Sequence, residues 1–137
     1  KIIAPSVLLG VKNIQTQPYP GFPTDMQSQM MACLCTAHGE SSITENIFEN
    51  RFKIVPELIR MGADISVSGS KALLSGSAKL HGEAVAARDL RGGAALVAAG
   101  LAAEGTTIVQ ESEYIDRGYV DVCSDLRSLG ACIDRRQ

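Results

Sequence analysis

Acids and arginines recur in this chain at matching places. Asp25 in "PTDMQ" stands just before an apolar run of helical spacing, and Arg51 in "FENRF" follows the strand-like segment after it. Asp89 and Arg91 in "ARDLR" open a second apolar run, and Arg117 in "IDRGY" follows a second strand-like segment. An arginine's planar fork grips phosphate or carboxylate with two parallel bonds, whereas a lysine acts as a point charge. A helix N-terminus adds unpaired N–H groups and the positive end of the helix dipole. If two equivalent helices bring their N-termini to one edge, Asp25, Asp89 and Arg91 converge there, and Arg51 and Arg117 reach the same rim to dock an anionic ligand. Local roles compete with this reading. Thr24-Asp25-Met26-Gln27 fits a capping box with Thr24 as N-cap and Asp25 in the first turn. Asp89 fits an N-cap, and each arginine fits a solvated surface position.

The elements that must position these residues come as an internal repeat. Met26, Met30, Cys33, Leu34 and Ala37 fall on one helical face in the first copy, as do Leu90, Ala94, Val97, Ala98 and Leu101 in the second. Both helices run into Ala-x-Gly, at Gly39 and Gly105, where glycine supplies a left-handed cap. Strand-like segments follow at 42–45 and 106–109, then an arginine, then a second helix ending at Met61-Gly62-Ala63 or Leu129-Gly130-Ala131. Strands at 64–67 and 71–74 close the first unit, and one at 132–134 is expected to close the second. Strands at 12–16 and 82–86 lead in. Two amphipathic helices per unit need a sheet to cover, so the chain reads as one α/β domain of two repeats, about 12–80 and 81–137, with helices toward a shared core.

Composition limits what such a domain can do. The chain has 137 residues, 45% of them hydrophobic and 20% charged, with a net charge of -2. That describes a globular chain, not a disordered or nucleic-acid-coating one, and an anion site must come from a few arginines placed together. No apolar run approaches the ~18 residues of a membrane span, and no signal peptide is visible. The first residue is Lys1 and not methionine, so a piece of something longer is expected. Cys33, Cys35, Cys123 and Cys132 lack metal-ligand spacing; Cys33 and Cys35 would point about 200° apart on a helix. They read as reduced core or boundary residues of a cytosolic protein, with no metal and no cofactor implied. His38 and His81 stand alone in turn-like contexts.

Taken together, "FPTDMQSQ", "ITENIFENRF", "VPELIRMGA", "ARDLR", "AEGTT" and "YIDRGY" resemble, in order, the carboxy-terminal part of the UDP-N-acetylglucosamine enolpyruvyl transferase family. The resemblance runs from about Thr16 to Ile133. It implies an α/β (α+β) fold of repeated βαβαββ-like units, forming a lobe that is an inside-out barrel with helices inside and sheets outward. It also implies a reaction in the bacterial cytoplasm. Enolpyruvyl passes from phosphoenolpyruvate to the 3-hydroxyl of UDP-N-acetylglucosamine, phosphate is released, and peptidoglycan synthesis begins. Such chemistry needs a base near the hydroxyl, an acid for the methylene carbon, and cations for phosphate and carboxylate. By this resemblance Asp25 contacts the sugar hydroxyl as its base, Asp89 and Arg91 lie near the reacting centre, and Arg117 holds phosphoenolpyruvate. Arg51 is a further anion-facing arginine, and Ile47 and Phe48 form a strip along the sugar-nucleotide, Ile47 through its backbone.

Departures from the family matter equally. The chain lacks the amino-terminal portion, with its lysine-asparagine pair and the mobile loop whose cysteine is the usual target of fosfomycin. It is therefore expected to carry one wall of a cleft, to need the missing amino-terminal lobe for turnover, and to expose apolar helix faces that favour self-association. Two other readings stay open. One is transfer to shikimate 3-phosphate by the sibling enzyme of aromatic biosynthesis; the other is a non-catalytic module that binds a nucleotide or a partner. Neither a nucleic acid nor a membrane is an expected partner.

Overall fold

The computed structural model describes residues 3–136. Four strands build the first sheet: β1 (Ile14–Gln15), β2 (Ser41–Thr44), β3 (Ile65–Ser68) and β4 (Lys71–Leu74), in the order β1-β2-β4-β3. β1 and β2 run parallel, as a crossover through a helix requires, and the two pairs involving β4 are antiparallel. The second sheet pairs β5 (Ala84–Ala86) with β6 (Ile108–Gln110), again parallel.

The crossovers are α1 (Gln27–Thr36) and α3 (Leu90–Ala102), and they pack chiefly on each other. Around them sit α2 (Val55–Arg60), the single-turn α4 (Glu113–Asp116) and α5 (Val122–Ser128). The largest core cluster joins Met31, Leu34 and Cys35 of α1 to Leu58 and Met61 of the α2 end and to Ala95, Leu96 and Ala99 of α3, under Ile43, Ala72 and Leu74 of the first sheet. Small residues on α3 let α4 and the residue after β5 approach it closely. A Cβ on Gly93 would stand 2.7 Å from Ile115 Cγ1 and 2.9 Å from Ala87 Cβ. The expected left-handed glycine caps do not close the helices: the C-caps are Ala37 and Ala103, both extended, and the positive φ of 91° at Gly39 and 93° at Gly105, which an L side chain rarely adopts, serves the turn two residues further on.

The helix faces differ from the expected ones. On α1 the buried residues are Gln27, Ser28, Met31, Ala32, Leu34 and Cys35, while Met26 and Cys33 are exposed. On α3 they are Gly92, Gly93, Ala95, Leu96, Val97 and Ala99, while Ala98 and Leu101 are exposed. These helices are covered from more than one side, by the opposite crossover helix as well as by sheets. Burial therefore does not follow a single stripe, and small residues move inward because the helix axes lie close.

The strand expected at 132–134 is not formed. Residues 131–136 have no strand among the described residues beside them; Arg127 instead donates to the Ile133 carbonyl at 2.7 Å and pairs with Asp134 at 2.7 Å. An extended segment without a ladder partner leaves its backbone groups to side chains and water. In the first unit the corresponding β3 owes its form to β4 beside it.

Candidate functional site

Asp25 lies in a 3-10 turn, Thr24–Met26, that leads straight into α1. The capping box does not form. Pro23 occupies the N-cap position without a side-chain bond, and the Thr24 hydroxyl donates to Glu45 Oε2 at 2.9 Å. Freed from a capping role, the Asp25 carboxylate faces two arginines: Arg91 Nε at 2.6 Å and Arg51 Nη2 at 3.5 Å, both from Oδ1. The hydrogen bond from Arg91, opposed by slight desolvation and reinforced by the charges of both arginines, holds Asp25 below its ordinary value of 3.8.

Each partner is delivered by a different element. Arg91 is the second residue of α3, and Asp89 before it caps that helix by accepting from Gly92 N at 2.7 Å. Arg51 sits in the loop after β2, half-buried, with its guanidinium 4.7 Å from the centre of the Phe48 ring. Stacking on Phe48 and pairing with Asp25 restrict the same side chain from two directions. Asp25, Arg51, Arg91 and Phe48 thus come together, with Asp89 one turn away as the cap of the helix that presents Arg91.

Arg117 is placed differently from the expectation. It C-caps α4 and does not follow a strand directly, and its guanidinium lies 5.0 Å from the centre of the Tyr114 ring. Among the described residues no hydrogen bond or ion pair joins it to the Asp25 cluster. Gly118 nevertheless packs on Leu90, where an added Cβ would stand 2.7 Å from Leu90 Cδ1, so Arg117 is held beside the N-terminal end of α3. Asp116, immediately before it, takes two bonds from Arg135, at 2.6 and 2.8 Å. The Arg135 hydrogen bond lowers the Asp116 pKa and fastens the 131–136 segment to α4.

Ile47 and Phe48 are exposed and line a cleft of about 720 Å³ together with Glu45, Arg51, Lys53 and Val67. Their backbone N–H groups are already used: Glu45 Oε1 accepts from Ile47 N at 2.9 Å and from Phe48 N at 3.1 Å. Any backbone contact from Ile47 to a ligand must therefore come from its carbonyl. Glu45 itself was not singled out by the sequence reading. The signal was present as an acid at the end of a strand flanked by two threonine-bearing segments, but only the fold brings Thr16 and Thr24 to it. Burial raises its pKa, and four hydrogen bonds to the carboxylate together outweigh that and lower it below the ordinary 4.5.

The cysteines are all free. Cys35 and Cys123 are buried and Cys33 and Cys132 exposed, while burial pushes the Cys35 thiol up to about 12. Among the described residues no group of three or more His, Cys, Asp or Glu side chains is placed to hold a metal ion. His38 and His81 are exposed.

The chain is similar to several known proteins. Over 123 residues, 90% of this chain, it is 60% identical to the UDP-N-acetylglucosamine 1-carboxyvinyltransferase of Desulfofundulus thermocisternus, of which it covers 51%. It is 54% identical over 135 residues to UDP-N-acetylglucosamine 1-carboxyvinyltransferase 1 of Halalkalibacterium halodurans, covering 30% of that protein. The chain thus spans between about three-tenths and half the length of these relatives. The crystal structure of the enolpyruvyl transferase NikO from Streptomyces tendae superposes with a TM-score of 0.81 at 29% identity, over 94% of this chain and 30% of that one. The EPSP synthase of Acinetobacter baumannii, at 24% identity and a TM-score of 0.55, shares the fold. The family described as EPSP synthase (3-phosphoshikimate 1-carboxyvinyltransferase) matches residues 4–126, and the chain belongs to that family.

Proposed function

We propose that the protein of which this chain is a part transfers enolpyruvyl from phosphoenolpyruvate to the 3-hydroxyl of UDP-N-acetylglucosamine, releasing phosphate. The chain would supply one wall of a cleft whose other wall is the amino-terminal lobe, as about two repeats of its own lobe. In a bacterial cytoplasm this is the first committed step of peptidoglycan synthesis, on which cell shape and division depend. The observation that carries the reading is the Asp25 carboxylate held between Arg91 and Arg51, in a chain whose close relatives bear that activity in their names. No helix of the described residues is long and apolar enough to cross a membrane.

The chemistry assigns work to each group. In the addition step the acceptor oxygen bonds to C2 of phosphoenolpyruvate while C3 gains a proton, giving a tetrahedral phospholactoyl intermediate. In the elimination step C3 gives up a proton, the double bond re-forms, and the C2–O bond to phosphate breaks. Asp25 would accept the hydroxyl proton or hydrogen-bond. While Arg91 grips it, it is a weak base, and an anionic ligand that competes for Arg91 and Arg51 would raise its basicity where the proton must move. Arg117, Arg91 and Arg51 would hold phosphate and carboxylate, since guanidinium stays protonated throughout. Asp89 would act through Arg91 by fixing the first turn of α3.

Phosphate release by the complete protein tests the reading, with phosphoenolpyruvate and either UDP-N-acetylglucosamine or shikimate 3-phosphate as acceptor. Turnover with the sugar-nucleotide alone supports it. Turnover only with shikimate 3-phosphate moves the acceptor to the sibling chemistry, and none with either, despite tight sugar-nucleotide binding, leaves a binding module.

A further inference from the structure

Glu45 is the most connected buried acid of the molecule's candidate site, and its side chain bonds both segments that carry the acceptor-side residues, Thr24–Asp25 and Ile47–Phe48. It follows β2 directly, and its own N–H donates to the Ser70 carbonyl at 2.8 Å, which anchors its backbone to the β3–β4 turn. The side chain, 4% exposed, points inward. Oε1 accepts from Thr16 Oγ1 at 2.9 Å, Ile47 N at 2.9 Å and Phe48 N at 3.1 Å, and Oε2 accepts from Thr24 Oγ1 at 2.9 Å. Thr16 Oγ1 in turn accepts from Asn46 N at 2.8 Å. Three successive backbone N–H groups, at 46, 47 and 48, are therefore fixed by the Thr16–Glu45 pair.

A closed circuit results. Glu45 holds Thr24, Thr24 precedes Asp25, Asp25 pairs with Arg51, Arg51 stacks on Phe48, and the Phe48 N–H returns to Glu45. Backbone donors cannot rotate away, so one carboxylate, with Oε1 accepting three bonds and Oε2 accepting from Thr24, sets the path of the strip and the height of the Asp25 turn together. We propose that Glu45 is a positioning residue for the acceptor side of the site, holding Thr24–Asp25 and Ile47–Phe48 in one frame. The inference rests on the proposed transfer to a hydroxyl acceptor and deepens it, since it assigns the relative placement of the base and the sugar-nucleotide strip to one carboxylate.

Two substitutions separate geometry from charge. Glu45→Gln keeps the carbonyl oxygen for Thr16, Ile47 and Phe48, and its amide can donate to Thr24, whose hydroxyl then accepts. Glu45→Ala removes every contact. In the complete protein, Glu45→Ala is expected to raise the acceptor KM about tenfold and lower kcat, with the phosphoenolpyruvate KM rising less than about threefold, whereas Glu45→Gln stays within about threefold of wild type. Amide hydrogen exchange at Asn46, Ile47 and Phe48 should quicken about tenfold or more in Glu45→Ala while the β2–β4 ladder stays protected. An unchanged acceptor KM, equal rises for both substrates, Glu45→Gln as impaired as Glu45→Ala, or unaltered exchange at 46–48 would each overturn the proposal. If the wild-type protein releases no phosphate from this substrate pair, the acceptor reading falls, and the exchange rates alone decide whether Glu45 holds the strip.

Discussion

Arg91 Nε lies 2.6 Å from Asp25 Oδ1, which ties the first turn of α3 to the turn that opens α1. The two residues are 66 positions apart by their numbers, 91 less 25, and each stands at the start of a crossover helix in its own sheet unit. The pair is partly exposed, so its worth lies less in stability than in aligning two helix ends and setting the charge of the carboxylate between them.

Asp25→Asn keeps the shape of the side chain and removes its capacity to take a proton. In the complete protein kcat is expected to fall by about 10²–10⁴, with phosphoenolpyruvate affinity changed little. Steady-state kinetics together with a binding titration check this. A kcat within tenfold of wild type would remove Asp25 from proton transfer.

Arg91→Ala releases the largest influence that keeps the Asp25 pKa low. The Asp25 carboxyl should move upward, toward its ordinary 3.8, read by NMR titration of its side-chain carbon. Turnover should also fall, by about 10²-fold or more, because an anion-facing guanidinium has been lost.

Acid stability follows from the lowered carboxylates, Glu45 and Asp25 of the candidate site among them. A group whose folded pKa is depressed contributes in full above its unfolded value, and the contribution fades as pH falls toward the folded one. For Glu45 and Asp25 those unfolded values are 4.5 and 3.8. Denaturant unfolding should therefore show stability falling as pH drops below about 4.5, and the fall should be shallower in Glu45→Gln, which has no proton to take up.

Gly93→Ala sets helix propensity against space. Alanine would favour the helix by about 1 kcal/mol, but its Cβ would meet Ala87 Cβ at 2.9 Å, and that atom, fixed by its own backbone, cannot swing aside. A net loss of about 1–2 kcal/mol in urea unfolding is expected.

Apolar side chains lie open at separate places outside the core. Ile108 on β6 is 52% exposed and Leu129 after α5 is 82% exposed, and β6 pairs on one edge only among the described strands. The isolated chain is expected to associate with itself as concentration rises. Sedimentation velocity checks this, and Ile108→Lys should shift the distribution toward monomer.

What the residues alone determine here is local and repetitive. Ala-x-Gly at 37–39 and at 103–105 marks the turn that follows each crossover helix, because only glycine takes its positive φ cheaply. The recurrence of acid, apolar run, glycine and arginine marks two copies of one unit. Asp89 as a cap also follows from its spacing to the helix that it starts. Which face of each crossover helix turns inward was decided only in three dimensions. α1 and α3 bury one another, so Met31, Cys35, Leu96 and Ala99 displace Cys33, Ala98 and Leu101 from the expected core positions. The fate of Thr24 was decided there too. Its hydroxyl fits a capping box by sequence, yet the fold offers it a buried carboxylate 21 residues away, and a charge-assisted bond to Glu45 prevails over a cap on the backbone. That one exchange leaves Asp25 facing Arg51 and Arg91, a meeting of three separate segments that no local pattern encodes.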